Sequence, residues 1–475
     1  MGQERSADMN RQKFCEQHRG KTPAKRKRHL ARTVAALALS FGACTVHAQQ
    51  ADQKPDQQAD QQAEQDKRWD ARFQATYIWQ QKPSFRAAYS GPNSLLPGRE
   101  KAYTFSSTAY LGWRPASDLE IWFNPELVQG VAFSGLHGFG GFPNGEQQKV
   151  SGPNPTLYRS RLFLRKTWAL GGEDLPVEGE ANQFAMTTKQ ERLVLTAGNL
   201  AVTDVFDPSS YAHDARTQFM NWAFLTHGAY DFAADARGYS WGAALEYYRD
   251  DWAFRAGRFM QPAQSNGLAL DRRIGRHYGD QIEIEHAHQL AGRPGQTRLL
   301  LFRNHARMGA FDDAIASAAG AIPDLSAVRR EQSKRGVALA FEQEVWDDIG
   351  IFARASRHDG RTETYAFTEI DQSLSTGVSI KGRAWSRADD TLGMAVAFNG
   401  LSPAHQRYLA AGGLGAFLGD GALNYGRERI GEIYYSLRLT RSAWLSLDYQ
   451  RIINPGYNRD RGPVSVASAR MHLAF

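Results

Sequence analysis

Cysteine is almost absent. The 475 residues hold two, Cys15 and Cys44, both near the N-terminus. Beyond residue 48 there is none, so disulfides, thiol nucleophiles and Cys-ligated metals are excluded from the bulk of the chain. Net charge is lacking as well. The formal +7 comes from residues 1–48, where ten basic residues face three acidic ones. The remainder carries 47 Lys+Arg and 47 Asp+Glu. A sequence pI near 9.2 therefore does not point to a nucleic-acid partner. No apolar run is long enough for a membrane-spanning helix, which needs roughly 20 residues. No helical hydrophobic period is sustained after Trp69, and no P-loop, dinucleotide fingerprint or calcium loop is found.

What is present begins with a leader. Lys25–Arg28 precedes an apolar stretch from Leu30 to Ala43, and Val46-His47-Ala48 offers small or compact residues at a cleavage site. This is the pattern of a secretory signal peptide over residues 1–48. A lipoprotein reading around Cys44, and a start at Met9, stay open. Residues 49–67 repeat Ala-Asp-Gln units that cannot bury enough surface to order themselves, so a disordered periplasmic tether is expected. The functional domain should span residues 68–475.

The chain is rich in glycine (44) and aromatics (11%), nearly all of them in that domain, which favours β-structure over a helical bundle. Period-two alternation recurs in sixteen stretches of about 8–12 residues bounded by Gly, Pro, Asp and Asn: 69–80, 104–114, 119–129, 157–170, 192–200, 240–248, 253–260, 278–288, 297–307, 335–344, 350–357, 373–382, 391–399, 430–439, 443–453 and 464–475. Connections after even-numbered stretches are short, such as Pro115–Asp118, Arg249–Trp252, Arg293–Gly295 and Ala388–Asp390. Those after odd-numbered stretches are long: 81–103, 130–156, 201–239, 261–277, 308–334, 358–372 and 400–429. Segment 171–191 alone breaks the rule. Such alternation predicts an all-β transmembrane antiparallel barrel of about 16 strands, with short periplasmic turns and long extracellular loops. Closure would also remove the edges of so large a sheet. The terminal Phe475, preceded by alternating Met471 and Leu473, is the usual end of an outer-membrane barrel and the expected handle for barrel-assembly machinery.

Seven strings carry a resemblance: Phe123–Gly130 (FNPELVQG), Gly141–Glu146 (GFPNGE), Arg161–Trp168 (RLFLRKTW), Ala197–Asp207 (AGNLAVTDVFD), Ser210–Ala223 (SYAHDARTQFMNWA), Gly228–Gly242 (GAYDFAADARGYSWG) and Asn454–Val464 (NPGYNRDRGPV). Together they resemble the carbohydrate-selective porin (OprB) family from about residue 70 to the C-terminus. The resemblance implies a sixteen-stranded outer-membrane barrel through which sugars diffuse, with loops folded in to narrow the pore. The Gln/Asp-rich tether is outside that pattern.

A bare barrel of this size is too wide to discriminate small solutes, so a loop must supply the constriction. The candidates are 201–239 and the Gly-rich 130–156. The first carries Asp204, Asp207, His213, Asp214, Arg216, Asp235 and Arg237 beside Tyr211, Phe219, Trp222 and Tyr230. Guanidinium forks and carboxylates suit sugar hydroxyls, while aromatic rings suit sugar C–H faces. For Asp214, Arg216, Trp222, Asp235 and Arg237 the alternative is a scaffold that holds the loop in shape. Strand parity points Arg161, Arg165, Glu246, Arg255, Glu283, Glu285, Arg438 and Arg470 into the lumen. There they act either on the solute or as salt bridges that stiffen the wall. Arg459–Arg461 are expected to anchor barrel closure.

No enzyme, cofactor or metal site is expected. Gly238–Gly242 matches a GxSxG elbow but leads into a strand rather than a helix. His286 and His288 share a face with Ile282 and Ile284 and lack a third ligand. The alternatives to passive sugar diffusion are an outer-membrane barrel hydrolase and a polysaccharide export channel, the latter disfavoured by the 47:47 balance. Expected partners are carbohydrate solutes and outer-membrane lipid; a monomer and a homo-oligomer are equally compatible.

Overall fold

The computed structural model describes residues 65–150, 152–367 and 369–475. The expected leader, and the expected tether up to residue 64, lie outside these. Within them, the Gln65 backbone oxygen accepts a hydrogen bond from Arg114, and its side chain accepts one from Thr187 Oγ1 at 3.3 Å.

Sixteen strands follow one another among the described residues: β1 (Trp69–Lys82), β2 (Glu100–Ala116), β3 (Leu119–Val131), β4 (Gly152–Val177), β5 (Met186–Leu200), β6 (Ser240–Arg249), β7 (Trp252–Met260), β8 (Tyr278–Leu290), β9 (Arg293–Met308), β10 (Arg330–Trp346), β11 (Ile349–His358), β12 (Gln372–Gly382), β13 (Arg387–Gly400), β14 (Glu428–Thr440), β15 (Ala443–Ile453) and β16 (Val464–Ala474). Each pairs antiparallel with its sequence neighbours, and β1 closes on β16 from Gln74↔Ala474 to Gln81↔Ala467. Phe475 extends the seam, exchanging backbone hydrogen bonds with Phe73 at 2.9 and 3.1 Å.

Connection lengths follow the parity rule. Residues 117–118, 250–251, 291–292, 347–348, 383–386 and 441–442 make the turns at one end, and 83–99, 132–151, 201–239 and 401–427 are among the loops at the other. Two turns fall a few residues earlier than the sequence suggests. Ala291 and Gly292 both take positive φ (52° and 75°), as a two-residue hairpin turn requires, so Arg293–Gly295, expected as the turn, opens β9 instead. In the other, Asp390 is drawn out of the turn because its buried carboxylate accepts from Arg387, Tyr435 and the Arg438 amide. Segment 171–191 also conforms. β4 and β5 run on as a bulged ladder, leaving only 178–185, which folds back so that Phe184 packs on Trp122, ring centroids 5.0 Å apart.

Alternation sorts side chains between lipid and interior. Phe73, Leu111, Phe254, Ile282, Leu301, Leu339 and Ile433 are exposed outward, while Gln80, Thr108, Glu283, Arg298, Arg354 and Arg470 are buried inward. At the short-turn end an aromatic girdle includes Trp69 stacked on Trp113 at 5.7 Å and Trp252 on Phe254 at 6.2 Å, as expected at a membrane interface.

The largest hydrophobic cluster lies where a bare barrel would have lumen. Phe219 of loop 201–239 meets Phe224, Phe352 and Tyr434 at centroid distances of 5.4, 5.6 and 4.9 Å. Among the described residues three short α-helices serve the loops: α1 (Trp222–Leu225), capped by the Asn221 side chain, α2 (Phe311–Ala318), and α3 (Pro403–Ala410), started by the Ser402 hydroxyl and a first-turn proline.

Candidate functional site

Loop 201–239 crosses the barrel interior, and its backbone polar groups are met by inward side chains on both sides. On one side Arg354 donates to the Phe224 and Ala212 carbonyls, both at 2.8 Å, and Ser356 accepts from the Ala229 amide at 3.0 Å. On the other, Glu432 accepts from the Met220 and Asn221 amides, Asn221 donates to Gln450 at 3.0 Å, and Arg470 donates to the Ala215 and Gln218 carbonyls at 2.7 Å. A buried loop needs such partners for its backbone.

Asp207 is the pivot of the first side. Its carboxylate accepts from Thr226 and the His227 amide, and faces Arg354 at 3.1 Å and Arg298 at 3.5 Å. Burial pushes that carboxyl up, but Arg354, His227 and Arg298 outweigh it and hold it well below the usual range. The same burial drives His227 down to about 4, with Arg354 and Arg298 opposing the pull of Asp207, so the imidazole is neutral.

Loop 132–151 is docked beside it. Glu428 accepts from the Gly140 and Gly141 amides, and the Pro143 carbonyl accepts from Gln80 and Gln450. Arg216 ties the two loops to the wall: it donates to Glu146 at 2.9 Å, to Glu126 of β3 at 3.0 Å and to Thr108 of β2 at 3.3 Å. Glu146 is held below the usual carboxyl range because Arg216 and Lys149 outweigh its burial. Asp214 accepts from the Arg216 amide at 2.9 Å, and its carboxyl is likewise lowered, Arg216 outweighing burial.

Next to that tie is a cluster of rings and cations at the meeting of β4 with both loops. Tyr158 and Tyr239 have centroids 6.0 Å apart. The Arg161 guanidinium and the Lys149 ammonium lie over Tyr239 at 5.2 and 5.5 Å, and Arg237 lies over Tyr158 at 4.8 Å. Arg161 grips Asp204 in a fork at 2.7 and 2.6 Å. Its side chain is 15% exposed, that of Asp204 26% and that of Lys149 22%, so this cluster keeps contact with water. Asp235 accepts from the Arg237 and Tyr239 amides at 2.9 and 3.1 Å and fixes the turn carrying both.

The other candidates from the sequence fall elsewhere. Trp222 stacks between Phe367 at 4.7 Å and Phe232 at 6.3 Å in the apolar core. Glu246, Arg255, Glu283 and Glu285 form a buried ladder along β6, β7 and β8: Arg255 meets the three carboxylates at 3.2, 2.8 and 3.2 Å. The ladder continues through Arg298 to Glu342 at 3.0 Å, and Glu283 accepts from the Asp207 amide at 2.8 Å. Arg165 lies near the short-turn end, donating to the Asn182 carbonyl at 2.7 Å and facing Glu120. Arg438 pairs with Asp389 at 3.0 Å. Arg461 donates to the Tyr89 and Leu95 carbonyls, joining 454–463 to 83–99.

Sequence reasoning missed Glu126, Glu146, Lys149, Tyr158 and Tyr239. Tyr158 has the wrong parity for the lumen if 157–170 is read as an unbroken strand. A bulge opposite Pro125 moves it, so Asn124 pairs with Arg161 but Pro125 with Arg159. Pro125, which cannot donate to the ladder, was the available signal.

Catalytic geometry is not assembled at Ser240, whose hydroxyl donates to the Met260 carbonyl at 2.7 Å and which opens a strand. His286 and His288 lie on the outer face, on Trp252 and Phe341 respectively. Among the described residues no cluster of three metal-ligating side chains occurs.

The sequence model of the carbohydrate-selective porin, OprB family, matches residues 103–475. The fold is similar to OprB of Pseudomonas putida in its high-pH structure, at 17% identity over 88% of this chain and 97% of that one, TM-score 0.64. It is also similar to the outer-membrane channel DcaP of Acinetobacter baumannii, at 9% identity over 86% of this chain and 97% of that one, TM-score 0.49. Comparison with curated protein sequences gives no match.

Proposed function

From the premise that the chain belongs to the OprB family of carbohydrate-selective porins and is an outer-membrane porin, we propose that neutral sugars diffuse passively through it. The path narrows where loops 132–151 and 201–239 meet β4. The observation that carries this reading is the partly water-exposed cluster of Tyr158, Tyr239, Arg161, Asp204, Lys149 and Arg237. Planar guanidinium forks and a carboxylate address the hydroxyl edges of a sugar, and the half-buried Tyr158 ring addresses its C–H faces, with the buried Tyr239 ring carrying Arg161 and Lys149 beneath. Two of the three cations are paired, Arg161 with Asp204 inside the cluster and Lys149 with Glu146 at its edge, so little net charge faces the solute. Weak contacts let the solute leave as readily as it enters. The wall ladder around Arg255 and the tie at Arg216 hold this geometry in place, while Asp214, Asp235 and Trp222 shape the loop, and Arg165 secures the periplasmic mouth. The barrel-assembly machinery would engage the strand that ends at Phe475.

The test is sugar blockage of single-channel current in planar bilayers. Arg161→Gln and Tyr158→Ala, each alone, are expected to raise the half-blocking sugar concentration roughly tenfold, the size of one lost hydrogen bond to a charged group or one lost ring contact. Blockage identical to the parent in both variants would remove this cluster from the solute's path.

A further inference from the structure

The outer wall of the barrel is asymmetric in charge. At the short-turn border, basic side chains are matched by acids: Lys166 meets Asp118 at 2.5 Å, Arg293 meets Asp347 at 2.7 Å and Arg383 meets Asp348 at 2.7 Å. At the long-loop border on β9–β11 the acids are engaged otherwise. Asp280, opposite Arg303, is held by Arg258 at 2.7 Å, and Glu331, opposite Arg307, is held by Arg276 at 2.5 Å. Asp359 accepts from the Arg335 amide at 3.0 Å. Strand parity directs Leu299, Leu301, Arg303 and Arg307 of β9, Arg335, Val337 and Leu339 of β10, and Arg357 of β11 outward. In register, Leu299 faces Leu339, Leu301 faces Val337, and the next outward pair is Arg303 facing Arg335. Arg357 is the partner of Val337 on the far side.

Two features of this patch conflict with a wall that meets only hydrocarbon and water. Like charges directly opposite on neighbouring strands repel. Among the described residues, no ion pair is formed by Arg303, Arg335 or Arg357. The Arg303 guanidinium reaches Ser333 Oγ at 3.3 Å, yet its Nε is buried without a hydrogen-bond partner. The patch also begins one outward step, roughly 7 Å, beyond the last exposed aliphatic pair. That is where hydrocarbon gives way to headgroups.

We propose that this face is a docking surface for the phosphorylated headgroup of an outer-leaflet glycolipid, with Arg303 and Arg335 gripping one phosphate between them and Arg357 flanking it. A phosphate shared by two guanidiniums turns the repulsion into a paired, charge-assisted contact that a forked donor is built to make. The acyl chains then lie along Leu299, Leu301, Val337 and Leu339 below. The proposal depends on the outer-membrane placement of the barrel but not on sugar passage, so conductance measurements separate failure of one from failure of the other.

The experiment is native mass spectrometry of the detergent-purified protein titrated with diphosphoryl lipid A and with its phosphate-free form. The parent is expected to retain the diphosphoryl form selectively. Arg303→Gln/Arg335→Gln should weaken retention by roughly tenfold or more, the loss of charged hydrogen bonds to one group. Arg249→Gln, at the short-turn border, should leave retention unchanged. Arg357→Gln alone, expected to weaken it less, provides a second reading should the double variant fail to show the heat-modifiable gel mobility of a folded barrel. Equal retention of the phosphate-free lipid, or unchanged retention in both variants, overturns the proposal. Displacement of the lipid by poly-glutamate at matched charge would assign the patch to an acidic protein and also overturn it.

Discussion

Removing the Arg216 side chain tests the tie between the two inner loops and the wall. Arg216→Ala leaves Glu126, with 0% side-chain exposure, and Glu146, with 7%, facing one another without their shared cation. Breaking a buried ion pair from one side costs about 3–5 kcal/mol, because the surviving charge has no water to turn to. Compensation is partial: Lys149 remains on Glu146 at 3.2 Å, and Thr108 and Tyr158 still donate to Glu126. The low end, about 3 kcal/mol, is therefore expected, which is roughly a hundredfold shift toward a released loop. The other anchors of 201–239, at Asp207 and Glu432, keep the barrel itself intact. Single-channel recording should show higher and noisier baseline conductance, and hydrogen exchange should quicken across 201–239 but not in the strands. Glu126→Gln/Arg216→Gln, which removes the fully buried carboxylate together with its cation, should recover much of the loss, since the remaining Glu146 still has Lys149. Parent-like conductance and exchange in Arg216→Ala would refute the reasoning, as would a double variant worse than the single.

Three further outcomes are expected. His405 of α3 lies between Asp371 at 3.1 Å and Glu369 at 3.7 Å, stacked on Phe311. Burial lowers its pKa, but those two carboxylates overcome this and raise it to about 9. A raised imidazole contributes its full stabilisation below its ordinary value of 6.5 and loses it as pH climbs through about 9. Limited proteolysis of 309–329 and 401–427 should thus accelerate between pH 8 and 10 and become pH-independent in His405→Gln. His227 behaves oppositely: held neutral at about 4, it destabilises the folded loop as pH falls from its ordinary 6.5, so channel noise should grow toward pH 4 and not in His227→Gln. Gly138 has φ +80°, and a Cβ there would fall 2.1 Å from the Leu95 amide nitrogen. Gly138→Ala should cost about 1–3 kcal/mol and loosen loop 132–151, read as a lower melting temperature in detergent.

Strand number, antiparallel order and inward–outward sorting were legible because each is written locally. Two-residue periodicity marks a strand, and small polar residues mark its ends. Leu164, Trp168, Ile433 and Leu439 do face outward, while Thr167, Glu432, Ser436, Arg470 and His472 do face inward. Segment 171–191 misled because β4 and β5 extend past the membrane, where neither face meets lipid and alternation loses its meaning. The candidate site was legible only as a list of side chains. Which acid meets which base depends on how two loops fold into the lumen, and the sequence carries no periodic signal for that. Arg216 finds Glu126, 90 residues away, while Arg161 takes Asp204 instead. The wall ladder follows strand register, so its near-neighbour pairs were within reach. Its extension to Asp207 was not, because that carboxylate comes from a loop whose φ of 55° turns the chain inward.

The most direct test of the central claim is osmotic swelling of liposomes that contain the purified barrel, in isotonic mono- and disaccharides. Swelling well above that of protein-free liposomes, faster for the monosaccharide and similar for neutral sugars of one size, is the predicted result. Sugar-impermeable liposomes that nevertheless conduct salt, or faster entry of a charged solute than of a neutral sugar of equal size, would contradict it.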